Sequence, residues 1–183
     1  MDKKILLLVV ENRDAVLFNT ARLWLDLWQE KKVTGISFWH TLQRKTIWFM
    51  RREMIKKALV DHPDVTHLFF LDTDVFPSMD QLDSLFVHNE DFISGYYCDS
   101  SGSPCTRKFG TPFWGKGVMD VDVLSMGFSL MSRKVAETVE YPEPVPAHKI
   151  DGDTEFCAKV KEAGFSVKVD FSLKALQMLY GLY

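Results

Sequence analysis

The chain predicts an α/β domain built on a mostly parallel central sheet with helices on both faces. Three observations carry this expectation. Short apolar runs, Ile5–Val10 and Thr66–Leu71, have the length and bounding polar residues of buried strands. Segments with helical apolar spacing alternate with them, giving the order βαβαβαβ before a mixed strand-and-loop half. The 183 residues hold no internal repeat, low-complexity segment or clear linker, so residues 1–183 are expected to form one compact domain.

The elements follow in order. Ile5–Val10 is the first strand, closed by Glu11-Asn12-Arg13-Asp14. Asp14–Glu30 places Val16, Leu17, Leu23, Trp24, Leu27 and Trp28 at helical spacing. Val33–Trp39 is a second strand. Thr46–Val60 is a helix with a basic face of Arg51, Arg52, Lys56 and Lys57, ended by Asp61-His62-Pro63-Asp64 because proline disfavours helix before it. Thr66–Leu71 is the next strand. Ser78 or Asp80 caps a helix that runs through His88. Phe92–Tyr97 is a strand interrupted by Gly95, and Asp99–Gly117 is a long loop rich in Gly, Ser, Pro and Thr. Met119–Met131 holds one or two strands around Gly127, followed by a short helix at Ser132–Val139. Three prolines keep Tyr141–His148 extended. A helix over Asp153–Ala163 ends at Gly164, and Ser166–Asp170 is the last strand.

Composition narrows the function. Hydrophobic residues make up 46% and charged residues 26%, the balance of a globular protein. A formal net charge of -3 argues against a broad nucleic-acid surface, while a local Arg cluster can still bind phosphate. Three cysteines without a CxxC do not make a disulfide framework, although a Cys98–Cys105 bridge across the loop stays open; a reduced, cytoplasmic setting is expected. The opening MDKKILLLVVENRD is too short in its apolar part for a signal peptide, and no segment approaches the roughly 20 apolar residues that span a bilayer. Tyr96, Tyr97, Phe109 and Trp114 can stack on a sugar face; they can equally close a hydrophobic lid or a homodimer contact.

The chemistry concentrates at LFFLDTDVFP, residues 68–77, where two carboxylates follow a buried strand. Acids near a core repel each other and lose hydration, so a positive partner is expected beside them. In extended backbone, residues i and i+2 point the same way, so Asp72 and Asp74 can face one hard divalent ion, Mg²⁺ or Mn²⁺. The bland alternative is a turn before the following helix. A second acidic group, Asp151-Gly152-Asp153-Thr154-Glu155, opens a helix, where one acid suffices as a cap. Three acids in five residues exceed that need, and one of them can serve as a general base. The Arg51–Arg52 pair is a candidate phosphate binder, whereas Lys56 and Lys57 suit a solvated face.

The combination of LFFLDTDVFP, a helix and then DFISGYYC resembles the nucleotide-diphospho-sugar glycosyltransferases of the GT-A (Rossmann-like) fold, near the large family 2. Met50-Arg51-Arg52 through Ala58-Leu59 is similar to the family's basic helix, Val123–Arg133 to its acceptor-side strand, and Asp153–Cys157 through Asp170 to its acidic helix and following strand. The resemblance covers about Arg51 to Ser172. It implies a donor such as a UDP- or GDP-sugar, a glycan, lipid or protein acceptor, and Mn²⁺ or Mg²⁺. It implies that Asp72 holds the ribose or the metal, that Asp74 ligates the metal, and that Asp153, or alternatively Asp151, is the base of an inverting displacement. Glu11 would lie by the nucleotide and Arg51 near the phosphates. The chain departs from the pattern at Gly152 and at Gln177, which stands where the family often completes its metal site with His; His148 is another source of that nitrogen. It also ends at Tyr183, with little room for the usual C-terminal acceptor elements.

Three other classes compete, of which a related nucleotidyltransferase is the weakest. A haloacid dehalogenase-type phosphatase or phosphotransferase also uses a strand and DxD, but Phe76 stands where Thr or Val is usual and the motif falls on the third strand. A non-catalytic sugar-nucleotide-binding module would bind donor without turnover.

Overall fold

The computed structural model describes residues 3–11, 18–40, 47–99, 101–143 and 152–177. Asp151, His148, Thr46 and the Asp14–Leu17 end of the expected first helix lie outside the described residues, as does the side chain of Glu11.

Among the described residues, eleven strands and five helices follow one another: β1 (Ile5–Glu11), α1 (Phe18–Gln29), β2 (Gly35–His40), α2 (Ile47–Asp61), β3 (His67–Leu71), β4 (Val75–Phe76), α3 (Met79–Val87), β5 (Phe92–Tyr96), β6 (Arg107–Lys108), β7 (Thr111–Pro112), β8 (Val118–Asp120), β9 (Phe128–Ser132), α4 (Arg133–Thr138), α5 (Gly152–Glu162), β10 (Lys168–Lys174) and β11 (Leu176–Gln177). Seven strands form the main sheet in the order β2-β1-β3-β9-β5-β10-β8. β1, β2, β3, β5 and β10 run one way; β9 and β8 run against them. The sheet is therefore mostly parallel in strand direction.

Alternation along each strand divides the core into two layers. Leu6, Leu8, Leu68 and Phe70 face α2, α4 and α5, against Met50, Met54, Val135 and Phe156. Ile5, Leu7, Val9, Phe69 and Leu71 face the other way, against Trp24 and Leu27 of α1 and Leu82 and Leu85 of α3. Strands covered on both faces need a nearly unbroken apolar run, which is what ILLLV and LFFL supply. Each fully buried Leu or Phe contributes about 1.5–3 kcal/mol. Ser78 caps α3 with a capping box: its Oγ accepts from the Gln81 amide at 3.3 Å, and its own amide donates to Gln81 Oε1 at 2.8 Å. Asp80 lies in the first turn instead of at the cap.

The Met119–Met131 segment holds two strands, within the expectation of one or two: β8 at the sheet edge and β9, whose antiparallel run between β3 and β5 the sequence did not indicate. Two details differ from the sequence expectation. The long loop contains a small β6–β7 hairpin, with Phe109 and Gly110 both at positive φ (54° and 75°), as in a type I′ turn. That conformation costs a residue with a side chain roughly 1–2 kcal/mol. The last strand continues past Asp170 to Lys174, with a register shift, and leads to β11. β11 then pairs antiparallel with β4, Gln177 opposite Val75, because the apolar Val75 and Ala175 close the same core layer. All three cysteines are free thiols, so the Cys98–Cys105 bridge is absent. Among the described residues, no helix is long and apolar enough to cross a membrane.

Candidate active site

Ligands in open α/β sheets bind beyond the carboxyl ends of the strands. Here a cleft of about 340 Å³ opens at that edge, lined among others by Trp48, Arg51, Asp72, Asp99, Asp153 and Gln177. β3 ends at Leu71 and delivers Asp72 directly into it. The Asp72 amide donates to the Gly127 carbonyl at 2.9 Å, and the Val75 amide to the Asp72 carbonyl at 3.2 Å, so the turn is pinned on both sides. Thr73 is buried, while Asp72 and Asp74 are half-buried.

The positive partner anticipated for these acids is Arg51. Its Nη2 donates to both Asp72 oxygens at 3.1 and 3.0 Å, and its Nη1 donates to Asp153 Oδ1 at 2.6 Å. One guanidinium thus joins the end of β3 to the start of α5. Arg51 lines the cleft but is only 3% exposed, with both Nη groups committed to carboxylates in its floor. Helical spacing holds the reason. Arg51 shares a face with Ile55 and Ala58, both buried, while Arg52 pairs with Glu140 and Glu143 at the surface. Burial works against the charge on Arg51, yet Asp153 and Asp72 outweigh it and hold its pKa well above the ordinary range. Asp72 is shifted the other way. Burial raises its pKa; Arg51 opposes this, and the nearby Asp74 and Asp153 charges add to it.

Asp153 is held from three sides. Besides Arg51, the Tyr141 hydroxyl donates to Oδ1 at 2.7 Å and the Met126 amide donates to Oδ2 at 3.2 Å. The Tyr141 ring is buried against Phe156, 4.9 Å between centroids. Nothing in the sequence singled out Tyr141, because it enters from an extended Pro-rich segment with no periodicity to read. Gly152, the departure noted before Asp153, has a packing reason: a Cβ there would come within 2.8 Å of the Trp48 indole. The third acid of the group, Glu155, turns away to pair with Lys159 at 3.0 Å. Asp151 lies outside the described residues. Glu11 ends β1, beside His40 of β2 in register.

Gln177 reaches the site through the β4–β11 pairing. Its Nε2 donates to Asp74 Oδ2 at 3.3 Å. Its Oε1 is buried and has no hydrogen-bond partner among the described residues. A buried carbonyl oxygen without a donor is costly, so Gln177 Oε1 and the Asp74 carboxylate are the oxygens a hard divalent ion would draw on here, with water and substrate phosphate completing its shell. The described residues therefore fit Mg²⁺ or Mn²⁺ as a partial ligand set; among them, no group of three His, Cys, Asp or Glu side chains gathers into a full cage.

Close packing behind Asp72 gives a direct check. A Cβ on Gly127 would fall 2.5 Å from both Asp72 Oδ2 and the Tyr97 hydroxyl. That hydroxyl accepts from the Gly127 amide at 3.1 Å and also bonds Ser125 Oγ. Gly127→Ala is expected to cost about 1–3 kcal/mol through overpacking, lowering Tm by about 2–12 °C in a thermal melt.

The mostly parallel sheet with helices on both faces has the GT-A fold. Solved structures share it: protein A197 from STIV (TM-score 0.68, 19% identity, 96% of this chain and 86% of that one); the catalytic domain of Drosophila beta1,4-galactosyltransferase 7 in complex with xylobiose (TM-score 0.60, 15% identity, 92% and 65%); and GalNAc-T7 with UDP, GalNAc and Mn²⁺ (TM-score 0.58, 8% identity, 97% and 44%). At these identities the likeness is one of fold. No family model matches the sequence, and no curated protein matches it.

Proposed function

We propose that the chain is a glycosyltransferase that moves a sugar from a nucleotide-diphosphate donor to an acceptor hydroxyl. The observation that carries this is the meeting of Asp72, Arg51 and Asp153, from three separate elements, in the floor of one cleft at the carboxyl edge of a GT-A sheet. Asp72 and Asp153 share a single buried cation, and Asp74 adds a third carboxylate nearby. The cleft thus keeps an excess of negative charge that suits a divalent ion more than a bare diphosphate.

Asp74 and the Gln177 carbonyl would hold that ion, with Asp72 next to them. When bound, it would offset the charge developing on the departing diphosphate. Asp72, fixed by Arg51, keeps free lone pairs for a donor ribose hydroxyl or the ion. Asp153 Oδ2 accepts one amide hydrogen bond and retains a lone pair, so it can take the proton of an attacking hydroxyl; Tyr141 and Arg51 fix its plane. A base opposite the leaving group would give inversion. Glu11 is assigned by the resemblance to the nucleotide side.

The test is a thermal shift panel of UDP-, GDP-, CMP- and dTDP-sugars, each with Mn²⁺ and with EDTA. One nucleotide class is expected to stabilise the protein in the presence of metal, by about 2.7 kcal/mol at a hundred times its Kd. Asp74→Ala is expected to abolish that shift. A full shift in Asp74→Ala overturns the metal assignment. A shift only with vanadate or beryllium fluoride points to phosphoryl chemistry instead.

A further inference from the structure

The β6–β7 hairpin carries features that the cleft chemistry does not use. Between Arg107, which lines the cleft, and Val118 the segment carries two basic residues, Lys108 and Lys116, and no acidic one, on a chain whose net charge is -3. At its tip Phe109 is 85% exposed, and Trp114, two residues past β7, is 63% exposed. Phe109 holds this position at φ 54°, where glycine or asparagine is preferred, so the fold tolerates a strained backbone to present an aromatic ring to solvent.

The ribbon is braced rather than loose. Phe113 packs edge-on against Phe171 of β10, 5.6 Å between centroids, and Lys108 Nζ lies 5.7 Å from the Phe109 ring and 5.4 Å from the Phe113 ring. The Phe109 amide is tied to Asp122, whose carboxylate is in turn paired with Lys161 at 2.6 Å. The same loop supplies Pro104, Cys105 and Arg107 to the wall of the cleft.

We propose that this hairpin docks the mouth of the cleft onto an anionic lipid surface. Exposed aromatic rings seat at the headgroup level, and basic side chains next to them are drawn to anionic headgroups. Lys108 and Lys116 beside the exposed rings favour this partner over a neutral glycan, which would use the rings alone. The inference does not depend on the transferase reading, since neither Phe109 nor Lys116 touches the acids of the cleft.

The test is flotation of the full chain with vesicles of phosphatidylcholine alone or mixed with phosphatidylglycerol. Binding is expected only to the mixed vesicles and to weaken with salt. The double variant Lys108→Gln/Lys116→Gln is expected to bind roughly 25-fold more weakly, about fivefold per charge removed. Phe109→Asn separates function from stability: asparagine suits positive φ, so Tm is expected to hold or rise while vesicle binding falls. In both variants the donor-dependent thermal shift is expected to match the parent, so its loss would bear on the cleft and not on the hairpin. No binding to the mixed vesicles, equal binding to neutral ones, or full binding by either variant overturns the proposal. A tryptophan fluorescence change with soluble oligosaccharide that Phe109→Asn abolishes, without vesicle binding, makes the hairpin a glycan subsite instead.

Discussion

Arg51→Met is expected to be the most destabilising single change in the site. It leaves Asp72 and Asp153 without the one cation they share, in a place where the guanidinium is 3% exposed. Removing one member of a buried ion pair costs about 3–5 kcal/mol, which for a chain of this length lowers Tm by about 6–20 °C. The pH dependence has a definite sign. Burial already raises the folded-state pKa of Asp72 above its unfolded value, with Arg51 holding it down. A raised carboxylate makes the folded state bind more protons, so stability falls as pH rises from the unfolded pKa through the folded one. Without Arg51 that window extends upward. The deficit of Arg51→Met against the parent is therefore expected to shrink on going from neutral to mildly acidic buffer, as read from paired thermal melts. A deficit that stays constant or grows on acidification would show that the carboxylates are not the source. Arg51→Lys is expected to fall in between, because an ammonium is a point charge and cannot span both acids as the guanidinium fork does.

Asp153→Asn should separate binding from chemistry. The amide keeps an oxygen to accept from Tyr141 and Arg51, while its NH2 meets the Met126 amide and Arg51 keeps only Asp72 as a charged partner, so the floor of the cleft holds its shape at a cost in stability that a thermal melt of the variant reads. What is lost is the proton acceptor, and a positioned general base typically contributes 10²–10⁴-fold. The expected result is a metal-dependent donor shift close to that of the parent with turnover reduced by about that factor. Full turnover in Asp153→Asn would move the base role elsewhere, with Asp151 the first residue to test. Parent and variant that both bind donor and neither turn over would favour a sugar-nucleotide-binding module.

Much of the molecule was legible in the chain. ILLLV and LFFL declared two central strands because strands buried on both faces need continuous apolar runs. The Ser78 cap, the stop before Pro63 and the end of α5 at Gly164 follow from local backbone chemistry that needs no partner from elsewhere. The acids after LFFL also announced that a positive group must stand nearby.

Which group that is could not be read locally. Arg51 is 21 residues from Asp72 and 102 from Asp153, and only the packing of α2 over the sheet puts its guanidinium between them. The buried neighbours Ile55 and Ala58 hinted at its inward face, but a run of basic residues on one helix reads first as solvated surface. Tyr141 carried no such hint, and Gln177 becomes a partner of Asp74 only through the pairing of two-residue strands, β4 and β11. The sequence by itself determined the strands, the helices and the sheet edge at which the acids emerge, because periodicity, caps and breakers act within a few residues. The tertiary structure alone decided that two distant carboxylates, Asp72 and Asp153, share one buried arginine, and that β9 inserts antiparallel between β3 and β5. Pairing and charge compensation depend on which distant segments meet, and no local pattern encodes that.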